Sequence, residues 1–333
     1  MSVPASAFHS HITMALLSGM TGCKLWTSEF EKPIHSGSQA RYEKKLRDYR
    51  GFYGELCNIA KKITWSGLSA PAYPDDVLSA GSYFGNWETP IECMYGIPLR
   101  CEPIDAGGIS TLRGCDVENI SDDALRTLLS HDVIVDSLAA RIISERGLAS
   151  LLGVDADKGD KDFFFSVERT ADEKQYIGYM WDDSTARLTV KDDAAEVVSW
   201  FYKGPKKAFP AATLFKNSLG GKILTLGWSL ELVYHKMYRR GRREILLSLI
   251  ELINGAPLDM VVENGEKCLV RHGIMDDGSE ILSVTHLSFD IDEALPIRLT
   301  RTPFAVELLC PDGSWKGVDF KRENDSILSV AVQ

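Results

Sequence analysis

The sequence predicts an α/β protein with an all-β tail: the closing portion of a β/α repeat, a three-layer α/β domain with a β-rich extension, and a C-terminal antiparallel β-sandwich. Three observations predict it. Helical and strand periodicities alternate through the first half of the chain. From about residue 160 short strands take over. Beyond Pro257 the dipeptides Asn264-Gly265, Asp277-Gly278 and Asp312-Gly313 punctuate those strands as hairpin turns do. The expected divisions are 1–65, 66–255 and 256–333.

In chain order, Phe8, Ile12, Ala15, Leu16 and Gly19 recur at helical spacing over residues 5–20. Cys23–Trp26 then reads as a short buried strand. Tyr42, Leu46, Tyr49, Phe52, Tyr53, Leu56, Ile59 and Ile63 predict one long helix over 38–62. Helix, strand, loop and helix make the closing portion of a β/α repeat, which needs neighbouring strands to satisfy its edges. Ser66–Pro74, with Gly67, Pro71 and Pro74, reads as a linker. A helix near Asn86–Tyr95 precedes extended stretches at Leu99–Ile104 and Ser110–Arg113. Ser121 opens a helix with Asp122 and Asp123 in its first turn, where the helix dipole favours acids. Asp132–Asp136 is a compact apolar strand, and a helix over Ser137–Arg146 stops at Gly147. Such alternation predicts a three-layer α/β domain. Strands follow at Phe163–Glu168, Tyr176–Trp181, Val197–Tyr202 and Lys222–Trp228, with a turn at Gly220-Gly221 and a long helix over Tyr234–Ile253.

A chain of 333 residues exceeds the size at which single cores stop growing, about 250–300 residues, so two or three domains are expected. It is 44% hydrophobic and 25% charged, too apolar for disorder. The net charge of −10 argues against nucleic acid as a partner and suits a neutral one. Seven scattered cysteines without a C-x-x-C pair suit reduced thiols, not a disulfide framework or a zinc site. The N-terminal apolar stretch lacks a basic flank, and His9 and His11 interrupt it. No run reaches the roughly 18–20 apolar residues of a membrane span. A cytoplasmic protein with no membrane partner and no cofactor is expected.

The stretches Gly19–Gly37 and Gly96–Gly153, with the tail's P-D-G-S-W, resemble β-galactosidase-like glycoside hydrolases, nearest to family forty-two, which makes residues 1–65 a partial β/α-barrel segment. Gly19–Gly37, ending W-T-S-E-F-E-K-P-I-H-S-G, looks like the last strand and loop of that barrel. Gly96–Gly153, with L-R-G-C-D-V, L-S-H-D-V-I-V-D, A-A-R-I-I-S-E-R-G-L and L-L-G-V, resembles the family's central domain, a class I glutamine-amidotransferase-like module used for oligomerisation. The tail's K-C-L-V-R-H-G-I-M-D-D-G-S-E and P-D-G-S-W look like the terminal sandwich. The resemblance implies a carbohydrate substrate and a homo-oligomer. It also implies a retaining pair of carboxylates about 5–5.5 Å apart on two barrel strands. A barrel takes about 250 residues, and only about 65 precede the expected linker. The catalytic carboxylates are therefore expected outside this chain, on a complementary barrel chain or an upstream region, and the isolated chain is expected to be inactive.

The resemblance also selects side chains. Trp26, at the expected C-terminal end of a barrel strand, is placed to stack on a sugar ring, or else to cap the core. His35 resembles the family's loop histidine that bonds a sugar hydroxyl. The acid usually three residues before it is replaced by Lys32, with Glu31 one step further, which puts a Glu–His pair in doubt. Trp26, Glu31 and His35 are the expected substrate-binding residues. His9 and His11 form an H-x-H without carboxylates at ligand spacing, so no metal is expected. Cys115 lies in R-G-C-D, without the glycine pair and downstream His and Glu of a nucleophilic elbow, and reads as a packed thiol. Tyr83, Phe84 and Trp87 read as a ligand platform, an oligomer hot spot or, the commoner outcome, a loop folded over the core. The basic run Tyr238–Arg243 could bind an anion, but reads more readily as a solvated helix face or as partners for surface acids.

Two rivals to a split glycosidase remain. One is a non-catalytic sugar-binding or assembly module. The other is an amidotransferase-like enzyme working through Cys115.

Overall fold

The computed structural model describes residues 5–17, 37–72, 95–103, 108–118, 120–158, 165–180, 185–230, 240–263, 268–286, 294–324 and 326–331. The first elements are α1 (Ala5–Leu17), α2 (Gly37–Asp48) and α3 (Arg50–Ala60). Ile12, Leu16 and Leu17 of α1 bury against Leu56 and Ile59 of α3, as the three- and four-residue steps predict. The expected single helix over 38–62 is instead kinked at Tyr49, and a distant loop supplies the cause. The Phe52 amide donates to the Pro311 carbonyl at 3.1 Å and so leaves the helical ladder. Gly51 permits that approach, because a Cβ there would sit 2.0 Å from the Asp312 carbonyl oxygen.

The stretch read as a linker is two strands, β1 (Ile63–Ser66) and β2 (Leu68–Ala72), separated by Gly67 at φ 104. β2 belongs to a nine-stranded sheet. Pro71 suggests a linker because it removes a ladder donor. It is tolerated because β2 meets its neighbour on one side at Ser69 alone, short of the proline. The remaining elements of this region are β3 (Leu99–Pro103), β4 (Ser110–Leu112), α4 (Gly114–Glu118), α5 (Asp122–Leu128), β5 (Val133–Val135) and α6 (Ser137–Glu145). They are followed by β6 (Val154–Lys158), β7 (Phe165–Thr170), β8 (Gln175–Met180), β9 (Ala186–Val190), β10 (Glu196–Lys203), β11 (Lys206–Lys216), β12 (Lys222–Leu226) and α7 (Arg240–Asn254).

The sheet order is β3-β2-β4-β5-β12-β11-β10-β7-β8, and β6 pairs with β9 separately. Its first five strands are parallel, and in chain order they read 2-1-3-4-5, a doubly wound arrangement. The other four are antiparallel. Strand alternation divides the core. Val133 and Val135 of β5 pack with α5 and α6 on one face, while Ile134 points to the other, where Ile245, Leu249, Ile250 and Ile253 of α7 cover the sheet. Each such fully buried aliphatic side chain contributes about 1.5–3 kcal/mol.

Local signals act as expected in this layer. The Ser121 hydroxyl accepts the Ala124 amide at 3.2 Å and opens α5. Gly147, at φ 75, lets the Leu148 amide reach the Ile143 carbonyl at 3.0 Å and closes α6. Asn217 holds the β11–β12 turn: its amide nitrogen donates to Leu129 and Leu151 carbonyls, and its oxygen accepts from Leu219 and Gly221.

The tail holds β13 (Met260–Val262), β14 (Cys268–Met275), β15 (Glu280–His286), β16 (Ala294–Leu299), β17 (Glu307–Leu309), β18 (Trp315–Gly317), β19 (Phe320–Arg322) and β20 (Ile327–Ala331). Hairpins close at Asp277-Gly278 and Asp312-Gly313; Asn264-Gly265 lies outside the described residues. Sheets β1-β14-β15 and β13-β16-β20-β19 share a cluster around Met260, Val262, Cys268, Val270 and Ile297. β1 thus ties the N-terminal helices to the tail. Trp65, Met275 and Leu309 pack on the α1–α3 cluster, and Arg271 donates to the Leu17 carbonyl at 3.0 Å, a cation at the α1 C-terminus. No helix among the described residues is long and apolar enough to cross a membrane.

Candidate functional site

Trp26, Glu31 and His35 lie outside the described residues, as do Tyr83, Phe84 and Trp87. His9 and His11 lie on α1. His11 is exposed, and His9 sits among Tyr49, Phe52 and Tyr53, with its Nδ1 2.7 Å from the Tyr53 hydroxyl. Among the described residues no three His, Cys, Asp or Glu side chains gather as a metal site. Burial, helped by the nearby Lys45 charge, lowers the His9 pKa from 6.5 to about 4. Burial also raises the Tyr53 hydroxyl to about 12, so both groups are neutral near pH 7. Between pH 6.5 and about 4 the unfolded chain takes up a proton at this histidine that the folded chain refuses. Stability from this group is therefore complete above pH 6.5, falls as the pH drops towards 4, and levels below that. In thermal melts from pH 7 to 4, His9→Gln is expected to lose this part of the acid slope. Parallel native and variant curves would contradict the assignment.

Cys115 lies in α4, on the turn that follows β4, and its side chain is outside the described set. Asp116 beside it is committed to Arg113, accepting from the Arg113 amide, Nε and Nη2 at 2.9 Å each. The basic run is not a solvated face in its described part. Arg242 is fully buried, ion-paired to the buried Glu168, and lies between the rings of Tyr176 (4.1 Å) and Trp228 (4.2 Å). Arg243 is buried too, donating to the Tyr95 and Val262 carbonyls at 2.7 Å and to Glu263 at 3.1 Å. The guanidinium forks convert what reads as surface charge into internal cross-links. Gly241 was the available signal: a Cβ there would lie 2.9 Å from the Gln175 carbonyl oxygen, so this face meets β8 closely.

A cavity of about 250 Å³ opens at the N-terminal ends of β2, β3 and β4, walled by Leu68, Pro98 and Ile109, with Pro257, Leu258 and Asp259 opposite. In open α/β sheets, ligands gather at the other, carboxyl ends. Residues 73–94 and 104–107, which follow β2 and β3 in the sequence, lie outside the described residues. Ser66 and His272 also line the cavity. They face each other across β1 and β14, with Ser66 Oγ 2.5 Å from His272 Nδ1 and 3.3 Å from the His272 carbonyl oxygen. His272 Nε2 is 3.1 Å from Glu280 Oε2 on β15. A carboxylate only accepts, so Nε2 carries a proton, and in the neutral ring Nδ1 then accepts from the serine. His272 is 2% exposed.

Sequence reading found none of these three. The Asp277-Gly278 turn fixes the register that brings Glu280 diagonal to His272, so that pair was legible in principle. Ser66 is 206 positions from His272 and carries no such signal.

No protein-family model matches the chain, and no curated protein matches it. Solved structures do. An α-L-fucosidase isoenzyme 2 from Paenibacillus thiaminolyticus superposes over 98% of this chain with a TM-score of 0.58 at 11% identity. A β-galactosidase from Rahnella sp. R3 covers 90% with a TM-score of 0.54 at 9% identity. The fold is thus mixed α/β and shared with part of each of these two structures. The chain spans about half of each of these structures, 55% of the first and 48% of the second.

Proposed function

We propose that this chain is the C-terminal, accessory part of a β-galactosidase-like glycoside hydrolase and acts on carbohydrate only together with polypeptide outside this sequence. The observation that carries the reading is the near-complete superposition on about half of an α-L-fucosidase. The whole-chain arrangement, helices followed by a doubly wound sheet and antiparallel sheets, supports it. So does the resemblance of Gly19–Gly37 to a closing barrel strand and loop. In this reading Trp26 stacks on a sugar ring, Glu31 and His35 bond its hydroxyls, and the acid/base and nucleophilic carboxylates come from the remainder of the barrel. The doubly wound unit is the amidotransferase-like assembly domain, and the tail sheets form the terminal sandwich.

The test uses the purified chain with 4-nitrophenyl β-galactoside and α-L-fucoside. No turnover is expected, while calorimetry should detect binding of galactose or fucose that Trp26→Ala weakens about tenfold, the loss of roughly one stacking contact. Turnover that survives purification, or binding indifferent to Trp26, would overturn the reading.

A further inference from the structure

We propose that Ser66, His272 and Glu280 form an acyl-transfer site that hydrolyses small, acetyl-sized esters. The cavity and its side chains support this site independently of the glycosidase reading. Three features carry it. First, hydroxyl, imidazole and carboxylate stand in one chain, at 2.5 Å and 3.1 Å, in the tautomer that a nucleophile, base and orienting acid require. The two ring nitrogens exchange the roles they have in serine proteases, but such triads are recognised by geometry and role. Second, the serine and the histidine both line a cavity. A cross-strand polar pair serving only to join two strands needs no such space. Third, that cavity, at about 250 Å³, is below the size of pockets for drug-sized ligands. Its walls of Leu68, Pro98, Ile109, Pro257 and Leu258 suit a short apolar acyl group.

The chemistry balances without a cofactor. Ser66 Oγ attacks the ester carbonyl carbon as its proton passes to His272 Nδ1, forming the C–O bond of a tetrahedral intermediate. Glu280 holds the ring through Nε2 and stabilises the imidazolium. We assign the oxyanion to the Gly67 amide, which follows Ser66 in the chain; Gly67 lines the same cavity at φ 104. Collapse breaks the ester C–O bond, and the leaving alkoxide takes the proton from Nδ1. Water then attacks the acyl-serine, gives its proton to Nδ1, and releases the carboxylic acid, with Ser66 recovering its hydrogen.

The experiment treats the purified native chain with a fluorophosphonate and maps the adduct by mass spectrometry, alongside 4-nitrophenyl acetate hydrolysis. The phosphonyl group is expected on Ser66. Ser66→Ala should abolish adduct and turnover with an unchanged circular dichroism spectrum, and His272→Gln should lower turnover at least about 100-fold. Glu280 is a positioning residue: Glu280→Gln should lower turnover about tenfold, with Glu280→Asp recovering much of it. Mapping on the native chain decides the matter even where a variant fails to fold. An unmodified Ser66, an adduct only at another residue, or hydrolysis that persists in Ser66→Ala would overturn the proposal. Because sugar turnover and ester turnover use different substrates, either result leaves the other question intact.

Discussion

Replacing Arg242 by methionine is expected to destabilise the protein by about 3–5 kcal/mol, enough to unfold most small domains at modest denaturant. The side chain is fully buried and so is its partner Glu168, which also accepts from the Ser199 hydroxyl at 2.7 Å. Methionine fills most of the volume between Tyr176 and Trp228, so the loss is not a cavity effect. It is the cost of a carboxylate left in a low-dielectric interior without its cation, together with the guanidinium's stacking on two rings. A second substitution separates these two contributions. Glu168→Gln in the Arg242→Met background removes the stranded charge while keeping an acceptor for Ser199, and should recover more than half of the loss in urea denaturation. If the double variant is as unstable as the single one, stacking on the rings outweighs the stranded charge. If Arg242→Met alone is neutral, the buried pair contributes nothing to stability.

That ion pair also marks where the sequence stops being legible. Elements governed by local rules are readable: the Ser121 cap, the Gly147 stop, the alternating Val133–Val135 strand, and the hairpins at Asp277-Gly278 and Asp312-Gly313 all follow from residues a few positions apart. What fails is set by contacts across the chain. Pro71 and Gly67 look like a linker until β3 pairs along the whole of β2. Residues 38–62 look like one helix until Pro311 takes the Phe52 amide and Gly51 closes on Asp312. Arg242 and Arg243 look solvated until Glu168, in the interior, and the half-buried Glu263 meet them from other segments. The candidate cavity belongs to the same class. Its serine and histidine are neighbours only because β1 pairs with β14, a pairing between distant parts of the chain that no periodicity encodes. The sugar-binding candidates Trp26, Glu31 and His35 rest on resemblance, and they lie outside the described residues.

Asp136→Ala is expected to cost about 3–5 kcal/mol, a comparable loss with a different origin. Asp136 directly follows β5, is 0% exposed, and accepts hydrogen bonds on both carboxylate oxygens. They include bonds from the Ala139 amide at 2.8 Å, the Ser229 hydroxyl at 2.9 Å and the Leu230 amide at 3.1 Å. The first caps α6. The other two fasten the segment after β12 to the end of β5, so one carboxylate fixes the carboxyl edge of two adjacent parallel strands. Alanine removes the acceptors and leaves buried backbone donors without partners. Asparagine is the informative contrast, because it matches the size yet turns one acceptor into a donor facing donors, and should recover little. Serine, a competent cap that cannot reach both segments, should recover only the helix contribution of about 1 kcal/mol. Urea denaturation of the three variants is expected to give the order Asp136 > Ser > Asn ≈ Ala. If asparagine matches the native chain, the carboxylate acts through shape alone and its acceptor count is irrelevant.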